Sequence, residues 1–245
     1  VLRDYQEKAA QEAIAASDKT RGEFLIHNNQ ICDARYSKSC GGITENNENV
    51  WDDQAKPYLQ AVFDSSSEII PNIKNKKNLI DWIKNPPDCY CSNSYIKDNN
   101  LKNYIGKVDH EGTYFRWSYS ATQKEITETL NKKCNTNFHS IQSIRPKKRG
   151  ISGRILSLEI KGMIKNRLKK LNLKSEYEIR NALHPKFLYS SAFIIILDLE
   201  ENGMFKSITL KGAGWGHGVG LCQIGALGMA LLKKSAKTIL SHYFT

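Results

Sequence analysis

Five glycines alternate with other residues in one short segment near the C-terminus, and this spacing constrains the fold more than any other feature. Alternate residues of an extended chain share one face, so that face would consist of bare backbone. Trp215 and His217 lie between the glycines and would project from the opposite face. Two interpretations follow: a floor for a flat ligand, or a loop packed tightly under another stretch of backbone. The glycines are Gly212, Gly214, Gly216, Gly218 and Gly220.

The glycine segment does not have the spacing of a phosphate-binding motif. It lacks the Gly-Lys-Ser/Thr of a P-loop, and Val219 stands where a dinucleotide fingerprint that starts at Gly214 needs its third glycine. Trp215 can stack on a sugar ring, and His217 can exchange a proton near neutral pH. The alternative for His217 is a structural residue that is held by hydrogen bonds.

The remaining patterns predict an α+β protein with mixed strands and helices. Helical periodicity covers residues 5–17, a short helix must end before Pro86, and an N-cap signal lies within residues 120–125. Asn28-Asn29 predicts a hairpin turn, and the β-branched stretches at 190–200 and 204–214 predict a second hairpin. Residues 65–103 are polar and poorly periodic, which makes them a candidate insertion. There is no run of about 18 apolar residues, so no transmembrane segment is predicted.

The net charge of +11 is concentrated in one part of the chain. Residues 145–174 contain eleven Lys or Arg and one acid, Glu159. This cluster indicates either contact with an anionic polymer, such as nucleic acid or anionic wall material, or a solvated face. The basic residues are not interleaved with aromatic ones, so nucleic acid is not expected as a partner.

Six cysteines leave several interpretations open. Cys89 and Cys91 are too close together for a two-residue zinc knuckle, and Cys134 with His139 is a weak metal signal. Disulfides would suit an exported protein, although their pairing is not encoded in the spacing. Cys222 is expected to be a buried free thiol. The spacing of the six cysteines therefore identifies no metal ligands.

Two motifs, and several segments between them, resemble a known family. "GAGWGHGVGLCQIGA" resembles the C-terminal signature of the SpoIID family, also called the stage II sporulation protein D or amidase-enhancer family. "ICDARYSKSCGGITE" resembles its Tyr-x-Ser loop that ends in Gly-Gly. The segments "FRWSYSATQKEITETL", "SGRILSLEIKG", "YEIRNAL", "LYSSAF" and "ILSHYF" follow the order of the family, so the resemblance covers nearly all of residues 1–245.

The resemblance implies action on peptidoglycan. The sporulation member of the family is a lytic transglycosylase that cleaves glycan strands without stem peptides: one carboxylic acid protonates the glycosidic oxygen and then activates the 6-hydroxyl of the sugar, which gives an anhydro end. The family's Met-Pro-x-x-Glu-like stretch and the zinc ligands of some members, one His and two Cys, have no match before Ile31. The catalytic residues are therefore unknown, and we expect a partial domain that lacks these upstream features and its C-terminal end. Glu45 lies in a matched motif, and a salt-bridge or N-cap role is favoured for it.

The resemblance also assigns substrate-binding residues and a location. We expect glycan strands in a groove between the motifs, outside the cytoplasmic membrane, with any membrane tether upstream of this chain. A cell-wall amidase is a candidate partner, and both sporulation and cell division are open as contexts. The alternative to an enzyme is a non-catalytic peptidoglycan-binding module or amidase enhancer. The expected substrate-binding residues are Tyr36, Ser37, Gly41, Gly42, Ser190, Ser191, Trp215, His217 and Gln223.

Overall fold

The computed structural model describes residues 2–51, 54–67, 69–105, 113–201 and 205–244. Helices and strands alternate in mixed order in these ranges, which confirms the predicted α+β class. None of the helices within them is long and apolar enough to cross a membrane. The helices are α1 (Leu2–Lys19), α2 (Lys76–Lys84), α3 (Asp98–Ile105), α4 (Gln123–Cys134), α5 (Glu176–Ala182), α6 (Gln223–Leu231) and α7 (Ala236–Tyr243). The strands are β1 (Ile26–His27), β2 (Gln30–Ile31), β3 (Tyr36–Ser37), β4 (Arg116–Thr122), β5 (Ser140–Arg149), β6 (Ile155–Ile164), β7 (Arg167–Leu173), β8 (Phe193–Leu199), β9 (Phe205–Ala213) and β10 (Leu221–Cys222).

Two three-stranded antiparallel sheets form the frame of the protein. β9 lies between β4 and β8 in one sheet, and β6 lies between β5 and β7 in the other. The predicted hairpin of β8 and β9 is confirmed, with Phe193 opposite Gly212. Apolar side chains of both sheets pack with those of α4 and α5 into one core, in which Ile155, Leu158 and Ile160 of β6 are fully buried.

A second core is built largely from α2, α6 and the segments that contain Cys40, Cys91 and Cys222. Residues 65–103 contribute Trp82, Tyr90 and Cys91 to it, together with other buried side chains. This segment is therefore polar in composition but contains part of the core. Its description as an insertion stays a prediction.

Local sequence signals place several element ends correctly. Asn28 and Asn29 both have left-handed φ angles, 49° and 61°, and they join β1 to β2 as predicted. α2 ends two residues before Pro86, since the residue before a proline is forced out of helical geometry. The N-cap expected within residues 120–125 is Thr122, whose side chain exchanges hydrogen bonds with Glu125 in a capping box.

Candidate functional site at the junction of the glycine loops

The two glycine motifs meet side by side in the structure. We call residues 36–42 the first glycine loop and residues 212–222 the second glycine loop. β3 pairs in parallel with β10, so that Tyr36 lies opposite Leu221. Ser39 and Trp215 exchange two backbone hydrogen bonds, of 3.1 and 2.8 Å. The loops therefore form one unit.

The alternate glycines do not form an extended bare floor, and that interpretation is wrong. Four of the five have left-handed φ angles between 70° and 100°, so the segment is looped. A Cβ on Gly214 would lie 2.7 Å from the carbonyl oxygen of Ser39, and one on Gly220 would lie 2.1 Å from that of Arg35. The glycines are needed because two backbones touch, which is the second interpretation. The four looped positions are Gly214, Gly216, Gly218 and Gly220.

Gly218 makes room for a buried cation. The guanidinium of Arg154 is wholly buried, and a Cβ on Gly218 would lie 2.3 Å from its Cζ atom. The guanidinium donates to the carbonyl oxygens of Cys40, at 3.3 and 3.4 Å, and of Gly216, at 3.3 and 3.4 Å. Arg154 thus connects the two glycine loops through hydrogen bonds in the protein interior.

Glu45 is an internal hydrogen-bond acceptor. It is 0% exposed, and its carboxylate accepts from the hydroxyl of Ser152 at 2.6 Å and from the side-chain amide of Asn49 at 2.8 Å. The same hydroxyl accepts from Arg154 at 3.0 Å, which links the two charges indirectly. Among the described residues, Glu45 therefore caps no helix and forms no direct ion pair, and its carboxylate is enclosed by these donors.

The nine expected substrate-binding residues lie in one region, but five of them are buried. The hydroxyl of Ser190 donates to the carbonyl oxygen of Ala213 at 2.7 Å, so it fixes the start of the second glycine loop. The hydroxyls of Ser37 and Ser191 are buried without a hydrogen-bond partner. The buried five are Ser37, Gly41, Gly42, Ser190 and Ser191. The remaining four reach solvent: Tyr36, at 60% exposed, and the partly exposed Trp215, His217 and Gln223.

Trp215 lies in an aromatic cluster at the surface. Its ring centre is 4.6 Å from that of Tyr189 and 5.0 Å from that of Tyr114. Tyr189 also packs edge-on against Trp117, and the Trp117 indole donates to the carbonyl oxygen of Gly214 at 3.0 Å. Trp215 and Tyr189, both partly exposed, are named here the aromatic surface. Sequence reasoning missed Tyr189, although it stands directly before the matched Ser-Ser pair.

His217 is held as a neutral ring. Burial, and then the positive charge of Arg154, lower the pKa of His217 to about 4. A hydrogen bond with the backbone of Tyr36 has the opposite, smaller effect. Its Nδ1 accepts from the backbone N–H of Val219 at 3.1 Å, and its ring packs edge-on against Trp51 at 4.8 Å. The ring is thus committed to the loop, which favours the structural interpretation of His217.

Two hollows are described in the structure. One of about 390 Å³ lies beside Pro86 and Phe115, and one of about 560 Å³ lies between α2 and β8, with Ile194 on its wall and Lys74 and Arg145 at its rim. Neither is lined by any of the nine expected residues.

The basic segment 145–174 is divided between surface and interior. Arg149 donates to backbone carbonyls, and Arg154 is the buried link described above. Glu159 lies within 4.0 Å of the ammonium groups of three lysines, which reduces the local charge. The exposed basic residues outside this Glu159 group are Arg145, Lys148, Lys165, Arg167, Lys169 and Lys174. Three of them, Lys165, Arg167 and Lys169, lie at the β6–β7 hairpin.

A group of potential metal ligands lies beneath the glycine loops. Cys40, Asp64, Cys91 and Cys222 each place one donor atom within 4.8 Å of all the others. Burial raises the pKa of the Asp64 carboxyl to about 7, since the surroundings are dry. Sequence reasoning found Cys222 to be buried but missed the group, because Cys40 is 24 residues from Asp64 and 182 from Cys222.

Sequence comparison relates the chain to one family and to two longer proteins. The chain belongs to the family described as "Domain of unknown function (DUF8618)", whose model matches residues 45–220. It is 28% identical to an uncharacterized protein of Brachyspira hyodysenteriae, over 94% of this chain and 46% of that protein. It is 24% identical to the amidase enhancer of Bacillus subtilis, over 94% of this chain and 31% of that protein. The chain therefore spans less than half the length of these curated relatives.

Proposed function

We propose that this chain is a SpoIID-like, peptidoglycan-binding part of a cell-wall protein, located outside the cytoplasmic membrane. The observation that carries the proposal is the aromatic surface at the point where the two SpoIID-like motifs meet. The similarity to the amidase enhancer over 94% of this chain supports the same context.

Binding rests on the physical character of the aromatic surface. A sugar ring has an apolar face of C–H groups, and this face packs on an aromatic ring while its hydroxyls stay in water. The Trp215 ring is fixed by Tyr189 and Tyr114, so little side-chain entropy is lost when a glycan strand binds. The exposed Tyr36 lies on the adjoining loop and offers a second ring to the strand.

The geometry favours binding over cleavage for the described residues. A lytic transglycosylase needs a carboxylic acid at the glycosidic oxygen, and Glu45 is enclosed by its hydrogen-bond donors. His217 is equally committed within its loop. The finer form of the proposal, a lytic transglycosylase that produces anhydro-sugar ends, therefore requires an acid other than Glu45.

The direct test is co-sedimentation of the purified chain with insoluble peptidoglycan. Trp215→Ala is expected to reduce the bound fraction about tenfold, and Tyr36→Ala is expected to reduce it less. Tyr177→Ala is the matched control, because Tyr177 is 63% exposed but lies on α5, outside the aromatic surface. Equal binding by the Trp215 and Tyr177 variants would contradict the proposal.

Two further measurements separate enzyme from module. Mass analysis of digested glycan strands detects anhydro ends if the protein cleaves them. Addition of the chain to a cell-wall amidase tests stimulation, the second candidate function, which the name of the Bacillus relative motivates. Binding without anhydro ends identifies a module, and a rise in amidase turnover identifies an enhancer.

A further inference from the structure

Four donor groups from distant parts of the chain converge in the core beneath the glycine loops. Cys40, Asp64, Cys91 and Cys222 are each 2% exposed or less. We propose that these four side chains bind one Zn²⁺ ion in a closed tetrahedral site. The inference rests on these residues alone and is independent of the proposed function.

The distances between the donor atoms fit ligands around a common ion. The Sγ atoms of Cys40 and Cys91 are 3.8 Å apart, and Cys40 Sγ is 3.4 Å from Oδ2 of Asp64. With Zn–S bonds of about 2.3 Å and Zn–O bonds of about 2.0 Å, the edges of a tetrahedron are about 3.8 Å for two sulfurs and about 3.5 Å for sulfur and oxygen. Both distances agree with the tetrahedral values.

Backbone N–H groups orient two of the three sulfurs. Cys222 Sγ accepts from the N–H groups of Cys40 and Gly225, at 3.2 and 3.3 Å. Cys40 Sγ accepts from the N–H of Gly42 at 3.3 Å. Such donors stabilise thiolates and fix their direction, as outer partners of metal ligands do. Cys222 is also the N-cap of α6, where the helix dipole favours negative charge.

The carboxylate of Asp64 is held just as firmly. Its Oδ2 accepts from the backbone N–H of Cys91 at 3.0 Å, and its Oδ1 accepts from the hydroxyl of Tyr243 at 2.5 Å. Gly225 allows this approach, because a Cβ there would lie 2.5 Å from Oδ1. Since Tyr243 occupies Oδ1, Oδ2 is the atom that faces the sulfurs.

Charge and donor type select the ion. In this dry interior the three thiols and the carboxyl group can all be deprotonated only when a cation balances their charge. Arg116 offers only partial compensation, because its guanidinium donates to the carbonyl oxygens of Gly41 and Trp82. Thiolate ligands in a tetrahedral arrangement suit Zn²⁺ and disfavour Mg²⁺ and Ca²⁺. Four buried protein ligands leave no open position, so the ion is structural rather than catalytic.

The proposed ion would connect the two glycine loops to the second core. Cys40 lies in the first glycine loop and Cys222 ends the second, while Asp64 and Cys91 come from the segments beneath them. One ion therefore joins four stretches of chain, and metal binding contributes directly to the folding free energy.

The test is the metal content of the chain purified under reducing conditions. We expect one Zn²⁺ per chain, and Co²⁺ exchanged into the site should give the visible bands of a tetrahedral thiolate complex. Cys91→Ser and Asp64→Asn are expected to weaken Zn²⁺ binding about 100-fold or more. Cys89→Ser is the matched control, since Cys89 is equally buried and two residues from Cys91, but its thiol donates to the carbonyl oxygen of Pro87.

A second measurement uses the unmodified chain, because a ligand variant can fail to fold. Alkylation followed by peptide mass analysis should show Cys40, Cys91 and Cys222 protected in the Zn²⁺-loaded chain and reactive after chelation, with partly exposed Cys32 and Cys134 reactive throughout. A fully reduced, folded chain that binds neither Zn²⁺ nor Co²⁺ overturns the proposal. So does a disulfide between any two of the three thiols in the native protein, or full Zn²⁺ content in the Cys91 variant.

Discussion

Gly218→Ala tests whether the second glycine loop is shaped by packing. Two costs are expected. Gly218 has φ +82°, where an L-residue costs about 1 kcal/mol. Its new Cβ would also lie 2.3 Å from Cζ of Arg154, so the guanidinium must move by about 1 Å, to a normal contact distance of about 3.4 Å.

That movement has a definite energetic consequence. The hydrogen bonds of Arg154 to the carbonyl oxygens of Cys40 and Gly216 already measure 3.3 to 3.4 Å, so a shift of this size breaks at least one of them. A hydrogen bond to a charged group contributes about 1.5–3 kcal/mol. The total loss is therefore about 2.5–4 kcal/mol in the free energy of unfolding, or a decrease in Tm of about 10 °C.

Urea unfolding followed by circular dichroism measures this loss, and the chain offers a matched control. Gly22 has φ +80°, and a Cβ there would have no neighbour within 4 Å. Gly22→Ala should therefore carry only the backbone cost of about 1 kcal/mol or less. If Gly218→Ala is no more destabilising than Gly22→Ala, the packing explanation of the glycine loop is refuted.

Three further predictions follow from the same geometry. The pKa of His217, about 4 when folded against about 6.5 when unfolded, means that protonation favours unfolding. The neutral His217 ring therefore contributes up to about 3 kcal/mol to the free energy of unfolding above pH 6.5, and this contribution is lost as the pH falls to 4. His217→Gln should flatten the plot of unfolding free energy against pH between these two values. An unchanged plot would contradict this assignment of the pH dependence to His217. Glu45→Gln should cost about 2–3 kcal/mol of stability while the folded variant still binds peptidoglycan, and selective loss of binding would argue for a direct role. The double variant Lys165→Glu and Lys169→Glu should bind anionic cell walls more weakly, and its binding should depend less on salt concentration. Trp215→Ala should leave the salt dependence of binding unchanged. Co-sedimentation over a series of salt concentrations measures the binding and the salt dependence of each variant.

Features governed by neighbouring residues were predictable from the sequence. The Asn28-Asn29 turn, the end of α2 before Pro86 and the Thr122 cap depend on backbone preferences within a few positions. The pairing of the two motifs was not predicted; the resemblance implied only a substrate groove lined by the matched residues. The substrate-binding role of the nine matched residues stays a prediction.

Features governed by distant residues were not predictable in this way. The floor interpretation of the second glycine loop failed because the atoms that exclude a side chain come from elsewhere, such as Arg154 behind Gly218. The group around Asp64 was missed for the same reason, since its thiols are far apart in sequence. Spacing rules for metal sites describe ligands on one turn or knuckle, and this group has a single ligand on each segment.

The order of the aromatic surface depends on the core beneath it. Backbone hydrogen bonds with Ser39 fix Trp215, and Ser39 is next to Cys40, whose carbonyl oxygen accepts from Arg154. A change at Cys40 would therefore loosen Trp215 without touching the exposed ring. Stability and glycan binding should decline together when the interior is perturbed. Trp215→Ala should instead reduce binding about tenfold at a smaller cost in the free energy of unfolding than a fully buried tryptophan would have, since the ring is only partly buried.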